Sequence, residues 1–108
     1  MVAHFYIKID YLQTRINVDD VLFISSDRGT IHINLVDGTT LSKLMPLTRF
    51  AEFYNEHFTR VHRSFVINGE KIFRISSTEI ILKPGSVKIP IGKSFLNNVK
   101  LLQSNNLN

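Results

Sequence analysis

The sequence predicts a mainly β protein, and three observations carry that prediction. Short segments alternate apolar and polar residues, which is the pattern of half-buried strands. Turn residues interrupt these segments about every eight to twelve positions. One stretch alone, about residues 46–56, changes to a helical period near 3.6. This pattern leaves a sandwich and a barrel both open.

The elements follow in order. His4–Ile9 alternates with Phe5, Ile7 and Ile9 on one side and His4, Tyr6 and Lys8 on the other. Asp10-Tyr11 marks a turn, and Leu12–Ile16 pairs back. Val18–Ile24 is the next strand, with Asp19-Asp20 as a polar lead-in, and Ser25–Gly29 reads as a loop of turn residues. Thr30–Val36 turns Ile31, Ile33 and Leu35 inward and His32 and Asn34 outward. Asp37-Gly38 is the strongest hairpin signal in the chain, with Thr39–Leu41 returning.

Leu44, Leu47, Phe50, Ala51, Tyr54 and Phe58 then form one apolar stripe, with Pro46 acceptable in a first helical turn. The expected role of that helix is to plug an open end of the sheets. Phe58–Asn68 reads as one strand with a basic start and an apolar end. Lys71–Ser76 and Glu79–Leu82 pair around Ser77-Thr78. Pro84-Gly85 leads into Val87–Ile89, and Pro90 is kept out of a central ladder position. Ser94 is placed to cap a last helix whose apolar side holds Phe95, Leu96, Val99 and Leu102. Residues 103–108 form a polar tail expected to fray.

At 108 residues the chain is expected to form one domain, 1–108, with its core over about 5–102. A hydrophobic content of 44 % supplies enough apolar surface for one core and excludes disordered composition. The absence of cysteine excludes disulfides and Cys-based zinc sites, which fits a reducing compartment. Neither a signal-peptide pattern nor an apolar run of about 18 residues occurs, so a cytoplasmic location is expected, with no membrane span. Charge is uneven. Residues 1–56 hold five Lys/Arg against seven Asp/Glu, a balance of −2, and residues 57–108 hold eight against two, a balance of +6. Surfaces built from the second half are therefore suited to a polyanion.

The densest chemistry lies in Phe58-Thr59-Arg60-Val61-His62-Arg63-Ser64-Phe65-Val66-Ile67-Asn68. Arg60, His62, Arg63 and the Ser64 hydroxyl precede an apolar anchor, a fixed row of groups of the kind a phosphate binder needs. This stretch resembles the F-x-R-x-H-R-S-[FY]-[IV]-[IV]-N signature of the LytTR family. Ile89-Pro90-Ile91-Gly92-Lys93-Ser94-Phe95 is similar to the family's closing I-P-[IV]-[GS]-[RK]-S-[FY] element. Val18–Ile24 resembles its D-[DI]-[IV]-L-[YF]-I strand.

The resemblance covers about residues 5–102. It implies an elongated stack of small antiparallel sheets with one or two short helices, whose loops enter successive grooves of double-stranded DNA in bacterial transcription control. Base reading is then expected from Arg28, Arg63 and Lys93. Gly29 has no side chain to offer, and Asp27 competes for the Arg28 guanidinium. Phosphate contacts fall to Lys8, Lys43, Arg60, His62, Ser64 and Ser94, with His62 orienting the strand or bonding a phosphate while neutral. Two copies on paired sites are implied, with a receiver domain or sensor kinase outside this chain as a further partner. With no room for a receiver, the chain is expected to be an excised output domain or a stand-alone regulator.

Other chemistry lacks its constellation. His4, His32, His57 and His62 have neither cysteines nor a helical H-E-x-x-H pattern, so no metal is expected. Ser64 beside His62 lacks a nucleophile elbow, and no glycine-rich phosphate loop occurs, so neither an enzyme nor a cofactor is expected. The alternative is a β-rich protein-interaction module whose basic face docks an acidic partner. Single-strand nucleic acid binding needs an exposed aromatic platform. The phenylalanines fall in apolar stripes instead.

Overall fold

A computed structural model describes residues 3–104. Among them the strands build three antiparallel sheets in an elongated stack of 42 × 33 × 24 Å. The first sheet pairs β1 (His4–Ile9) with β2 (Leu12–Asn17). The central sheet contains β3 (Val21–Asp27), β4 (Thr30–Leu35), β5 (Thr40–Leu44), β6 (Thr59–His62) and β7 (Phe65–Ile67), in the order β5-β4-β3-β7-β6. The third holds β8 (Ile72–Ile75), β9 (Glu79–Leu82) and β10 (Val87–Pro90), with β9 central. Helix α1 (Leu47–Phe53) follows β5, and α2 (Leu96–Ser104) follows β10.

The central sheet is buried on both faces. On one face Phe5, Ile7 and Ile9 of β1 meet Val21, Ile24, Ile31 and Ile33, closed at the side by Leu47 and Phe50 of α1 and by Phe58. Phe50 is fully buried, with its ring centroid 6.3 Å from Phe5 and 5.9 Å from Phe58. Burying such a side chain stabilises the fold by about 1.5–3 kcal/mol. On the other face Leu22, Val61 and Ile67 meet Ile80, Leu82 and Ile89, closed by Val99 of α2. Two-sided burial explains why Phe65-Val66-Ile67 is continuously apolar while β1 alternates.

Two bulges set which side chains face which core. In β3, Val21 pairs with Leu35 and Phe23 with Asn34, so Leu22 is the extra residue. Val21 and Ile24 therefore share the first core, while Leu22 and Phe23 face the second. In β6, Val61 is the extra residue between Arg60 and His62.

Several expectations are corrected. Val18–Asp20 is a 3-10 turn before β3 and not part of the strand. Fully buried Asn68 holds this turn: its Nδ2 donates to the carbonyls of Val18 (3.0 Å) and Val21 (2.9 Å), while its Oδ1 accepts from the Glu70 N–H (3.1 Å). β3 continues to Asp27, so the Ser25–Gly29 loop shrinks to a two-residue turn, Arg28-Gly29, with φ of 50° and 79°. Flanked by β4 and β7, Ser25 and Ser26 have ladder partners that local turn chemistry does not anticipate. Phe58–Asn68 is a hairpin of β6 and β7, not one strand.

Helix α1 is shorter than 46–56, and Pro46 precedes it in an extended conformation. Leu44 ends β5 and is 82 % exposed, outside the helix stripe. Ser94 caps nothing; it lies inside a 3-10 turn, Lys93–Phe95, that runs into α2. Gln103 and Ser104 are helical, and the remainder of the expected tail, 105–108, lies outside the described residues.

Candidate nucleic-acid interface

The sheet registers bring the basic turns to one end of the molecule. Asp27 pairs with Thr30, Thr30 with Leu44, Ser25 with Phe65, and Phe65 with His62. The Arg28-Gly29 turn, the end of β5 at Lys43-Leu44 and the Arg63-Ser64 turn therefore share a rim. Neighbouring strands lie about 4.8 Å apart, so five strands span roughly 20 Å. Arg28 and Arg63 are both exposed there.

Lys93 reaches the same rim from the third sheet. The Gly92 N–H donates to the Val61 carbonyl (2.8 Å), which docks the start of the Lys93–Phe95 turn against β6. Contact here is close: a Cβ on Gly92 would lie 3.3 Å from the His62 Cα and 3.1 Å from the Phe95 ring. A side chain there would need its neighbours to give by a few tenths of an ångström, which glycine avoids. Lys93 and Ser94 are exposed just beyond it.

The Arg63 turn is held from inside. Arg60 donates from Nε to the His62 carbonyl (3.3 Å), from Nη2 to the Arg63 carbonyl (2.6 Å) and from Nη1 to Thr48 Oγ1 (2.9 Å). Its guanidinium also lies 5.3 Å from the Phe95 ring centre, and burial lowers its pKa from the ordinary arginine value. His62 Nδ1 accepts from the Ser64 N–H (3.0 Å), which puts the proton of the neutral ring on Nε2. The Ser64 carbonyl accepts from the Ser26 N–H (3.0 Å), tying this turn to β3. Asn98 of α2, which sequence reasoning missed, donates from Nδ2 to the Arg60 carbonyl (2.9 Å).

Lys8 and Lys43 meet away from the Arg63 turn, where Lys43 Nζ donates to the Lys8 carbonyl (2.8 Å). That bond joins the first sheet to β5. The structure thus gathers Arg28, Arg63, Lys93 and Ser94 along one rim, with Lys43 and Lys8 at its β5 end. Arg60, His62 and Ser64 lie beneath Arg63, with Arg60, the His62 ring and the Ser64 backbone bonded within the fold. The histidines do not converge: His32 Nδ1 bonds Ser42 Oγ (2.7 Å), and no group of three His, Cys, Asp or Glu residues among the described residues could hold a metal ion. No helix among them is long and apolar enough to cross a membrane.

The fold and sequence have known counterparts. A solved structure, the LytTr DNA-binding domain of a Bacillus cereus protein described as a methyl-accepting/DNA response regulator, superposes with a TM-score of 0.71. The match covers 93 % of this chain and 95 % of that one at 18 % identity, so it shows the shared fold. Sensory transduction protein LytT of Bacillus subtilis (strain 168) is 29 % identical over 93 residues. The alignment takes in 81 % of this chain but only 38 % of that relative's length. The model of the LytTr DNA-binding domain matches residues 12–103. By that match the chain belongs to the LytTr family of DNA-binding domains.

Proposed function

We propose that this chain binds double-stranded DNA sequence-specifically in bacterial transcription regulation, with the turns of its rim entering successive grooves. The observation that carries the reading is the convergence of Arg28, Arg63 and Lys93, from three separate turns, on one end of a LytTr fold. Arginine reads guanine O6 and N7 with a bidentate fork, and lysine does so with less discrimination. Lys8, Lys43, Ser94, His62 and Ser64 supply phosphate contacts. Arg60, with three donors already engaged, acts chiefly by fixing the turn that presents Arg63. The DNA step follows signal reception by a receiver domain or sensor kinase as partner, in the cytoplasm. Two copies bind paired sites, and the domain has no enzymatic step.

Selection of bound duplexes from a random pool tests this reading. Enrichment of a short spaced motif supports it, and an unselective pool refutes it. On the enriched duplex, five rim cations at Lys8, Arg28, Lys43, Arg63 and Lys93 give an expected salt slope of about −4 to −5. A flat salt response favours the protein-interaction module. Arg63→Ala is expected to relax one position of the motif at a cost of about 1–3 kcal/mol, and Arg60→Ala, by loosening the turn that presents Arg63, to weaken the selected duplex more than random ones and to lower the Tm.

A further inference from the structure

The turn between β1 and β2 stands apart from the other turns of the molecule. Its central residues, Asp10 and Tyr11, have φ of 50° and 68°, the left-handed pair of a type I′ hairpin. Asp10 is a residue type that tolerates this region, but a bulky aromatic rarely adopts it. The Arg28-Gly29 turn of the same chain puts glycine at the equivalent second position. Tyr11 is also 93 % exposed, so no packing within the fold explains the strain.

Its surroundings point to a ligand. A shallow hollow of about 310 Å³ is lined by Lys8, Asp10, Tyr11, Ser42, Lys43 and Leu44. Lys43 Nζ is pinned to the Lys8 backbone carbonyl at 2.8 Å, which holds one cation in the hollow, and the lining adds Lys8 and one carboxylate, Asp10. Leu44 pairs with Thr30, next to the Arg28 turn, so the hollow continues the rim that carries Arg28 and Arg63. The family match begins at residue 12, so Tyr11 lies outside it.

We infer that the β1–β2 turn is an additional contact to the DNA backbone at the flank of the recognised sequence. Tyr11 packs its ring against a deoxyribose and donates its hydroxyl to a phosphate oxygen, and Lys8 and Lys43 bracket the adjacent phosphates. A phenol among lysines suits a sugar–phosphate chain, which offers an apolar sugar face and anionic acceptors side by side. Such a contact adds affinity and lengthens the footprint without selecting a base. The inference rests on the DNA-binding reading above.

The test compares wild type, Tyr11→Gly, Tyr11→Asn, Tyr11→Phe and Arg63→Ala on the selected duplex and on duplexes shortened from each end in turn. Glycine and asparagine both suit the turn, so their Tm should equal or exceed that of wild type. Tyr11→Gly and Tyr11→Asn are expected to lose about tenfold in affinity on the long duplex, the size of one hydrogen bond to a charged group, with base preferences intact. Tyr11→Phe, which lacks only the hydroxyl, should lose most of that factor. Wild type should lose a similar factor when one particular end is trimmed, and Tyr11→Gly should lose nothing further there. Binding of Tyr11→Gly within twofold of wild type overturns the inference, as does a loss that ignores which end is trimmed. If Arg63→Ala loses base preference while Tyr11→Gly binds as wild type does, the DNA reading stands and only this contact falls. If wild type selects no duplex, both fall together.

Discussion

Asn68 offers the sharpest test of how the two cores are joined. It is 1 % exposed, and its amide satisfies three backbone groups: the Val18 and Val21 carbonyls and the Glu70 N–H. In Asn68→Ala all three bonds disappear. The Val18 carbonyl keeps the Val21 N–H as a donor, the Val21 carbonyl loses the amide in the buried interior, and the Glu70 N–H loses it at a part-buried position beside solvent. An unsatisfied buried group costs about 1–3 kcal/mol and a lost part-buried bond about 0.5–1.5 kcal/mol, so the expected loss is about 2–4 kcal/mol in denaturant unfolding.

Asn68→Asp is a finer probe, because it keeps the shape and replaces the NH₂ donor by an acceptor. At neutral pH a carboxylate would face two carbonyl oxygens, and the loss should exceed that of Asn68→Ala. When protonated, the acid can donate to one of those carbonyls, so its folded pKa is raised above the unfolded value of about 3.9. Its contribution is therefore present below that value and is lost as pH rises through the folded pKa. Relative to wild type, Asn68→Asp should recover stability on acidification and Asn68→Ala should not. If Asn68→Ala unfolds at the wild-type midpoint, or if Asn68→Asp shows no pH dependence beyond that of wild type, the buried amide is not what fixes the 3-10 turn.

Three further outcomes are expected. Gly92→Ala forces a Cβ to within 3.3 Å of the His62 backbone, and overpacking of this kind costs about 1–3 kcal/mol, so a lower Tm should accompany weaker DNA binding; an unchanged Tm would show that the Lys93 turn is not tightly docked. Phe50→Ala should cost about 3–5 kcal/mol in equilibrium unfolding, since its ring is fully enclosed by the first core, and a loss below about 1 kcal/mol would refute that packing. Tyr54, whose hydroxyl donates to the Tyr6 carbonyl (3.2 Å), has a pKa raised by burial above the ordinary 10.0. Its neutral form thus supports the fold below that value, and the support is lost as pH rises through the folded pKa. Alkaline titration of wild type against Tyr54→Phe should show this difference, and identical curves would refute it.

The parts of the fold that were legible in the sequence are those whose cause is local. The alternation of His4–Ile9 reappears as strict alternation of burial, and Asp37-Gly38 turns a hairpin in which Thr39 N–H donates to Asp37 Oδ1 at 2.8 Å. The two basic signatures were legible as motifs, but their meeting was not. It depends on the Gly92 N–H finding the Val61 carbonyl and on Asn98 reaching back to Arg60, bonds between distant residues that no window of sequence displays. The Arg63-Ser64 turn escaped for the same reason. It contains no Gly, Asn, Asp or Pro, and the Arg60 side chain and His62 Nδ1 hold it instead. Leu44 was misplaced because an apolar residue next to a helix pattern looks like part of the stripe, whereas its strand points it to solvent.

The extra residue at Leu22 has a consequence for how length can vary in this domain. Side chains in a strand alternate between faces, so a bulge of one residue is a phase change for everything beyond it. Deleting Leu22 would remove that change together with its cause, because the pairs Val21–Leu35 and Phe23–Asn34 already skip it. If Leu22 were kept in a regular ladder instead, Ile24 would point toward the third sheet and Phe23 toward the first. β4 and β7 read their register from β3, so the error would pass through the middle of the central sheet. The same holds for Val61 in β6, which the pairs Arg60–Val66 and His62–Phe65 skip. Within these strands a one-residue deletion should therefore be best tolerated at Leu22 and Val61 themselves, where the register survives and only one buried side chain is lost, while an added residue beside either would turn over the rest of its strand.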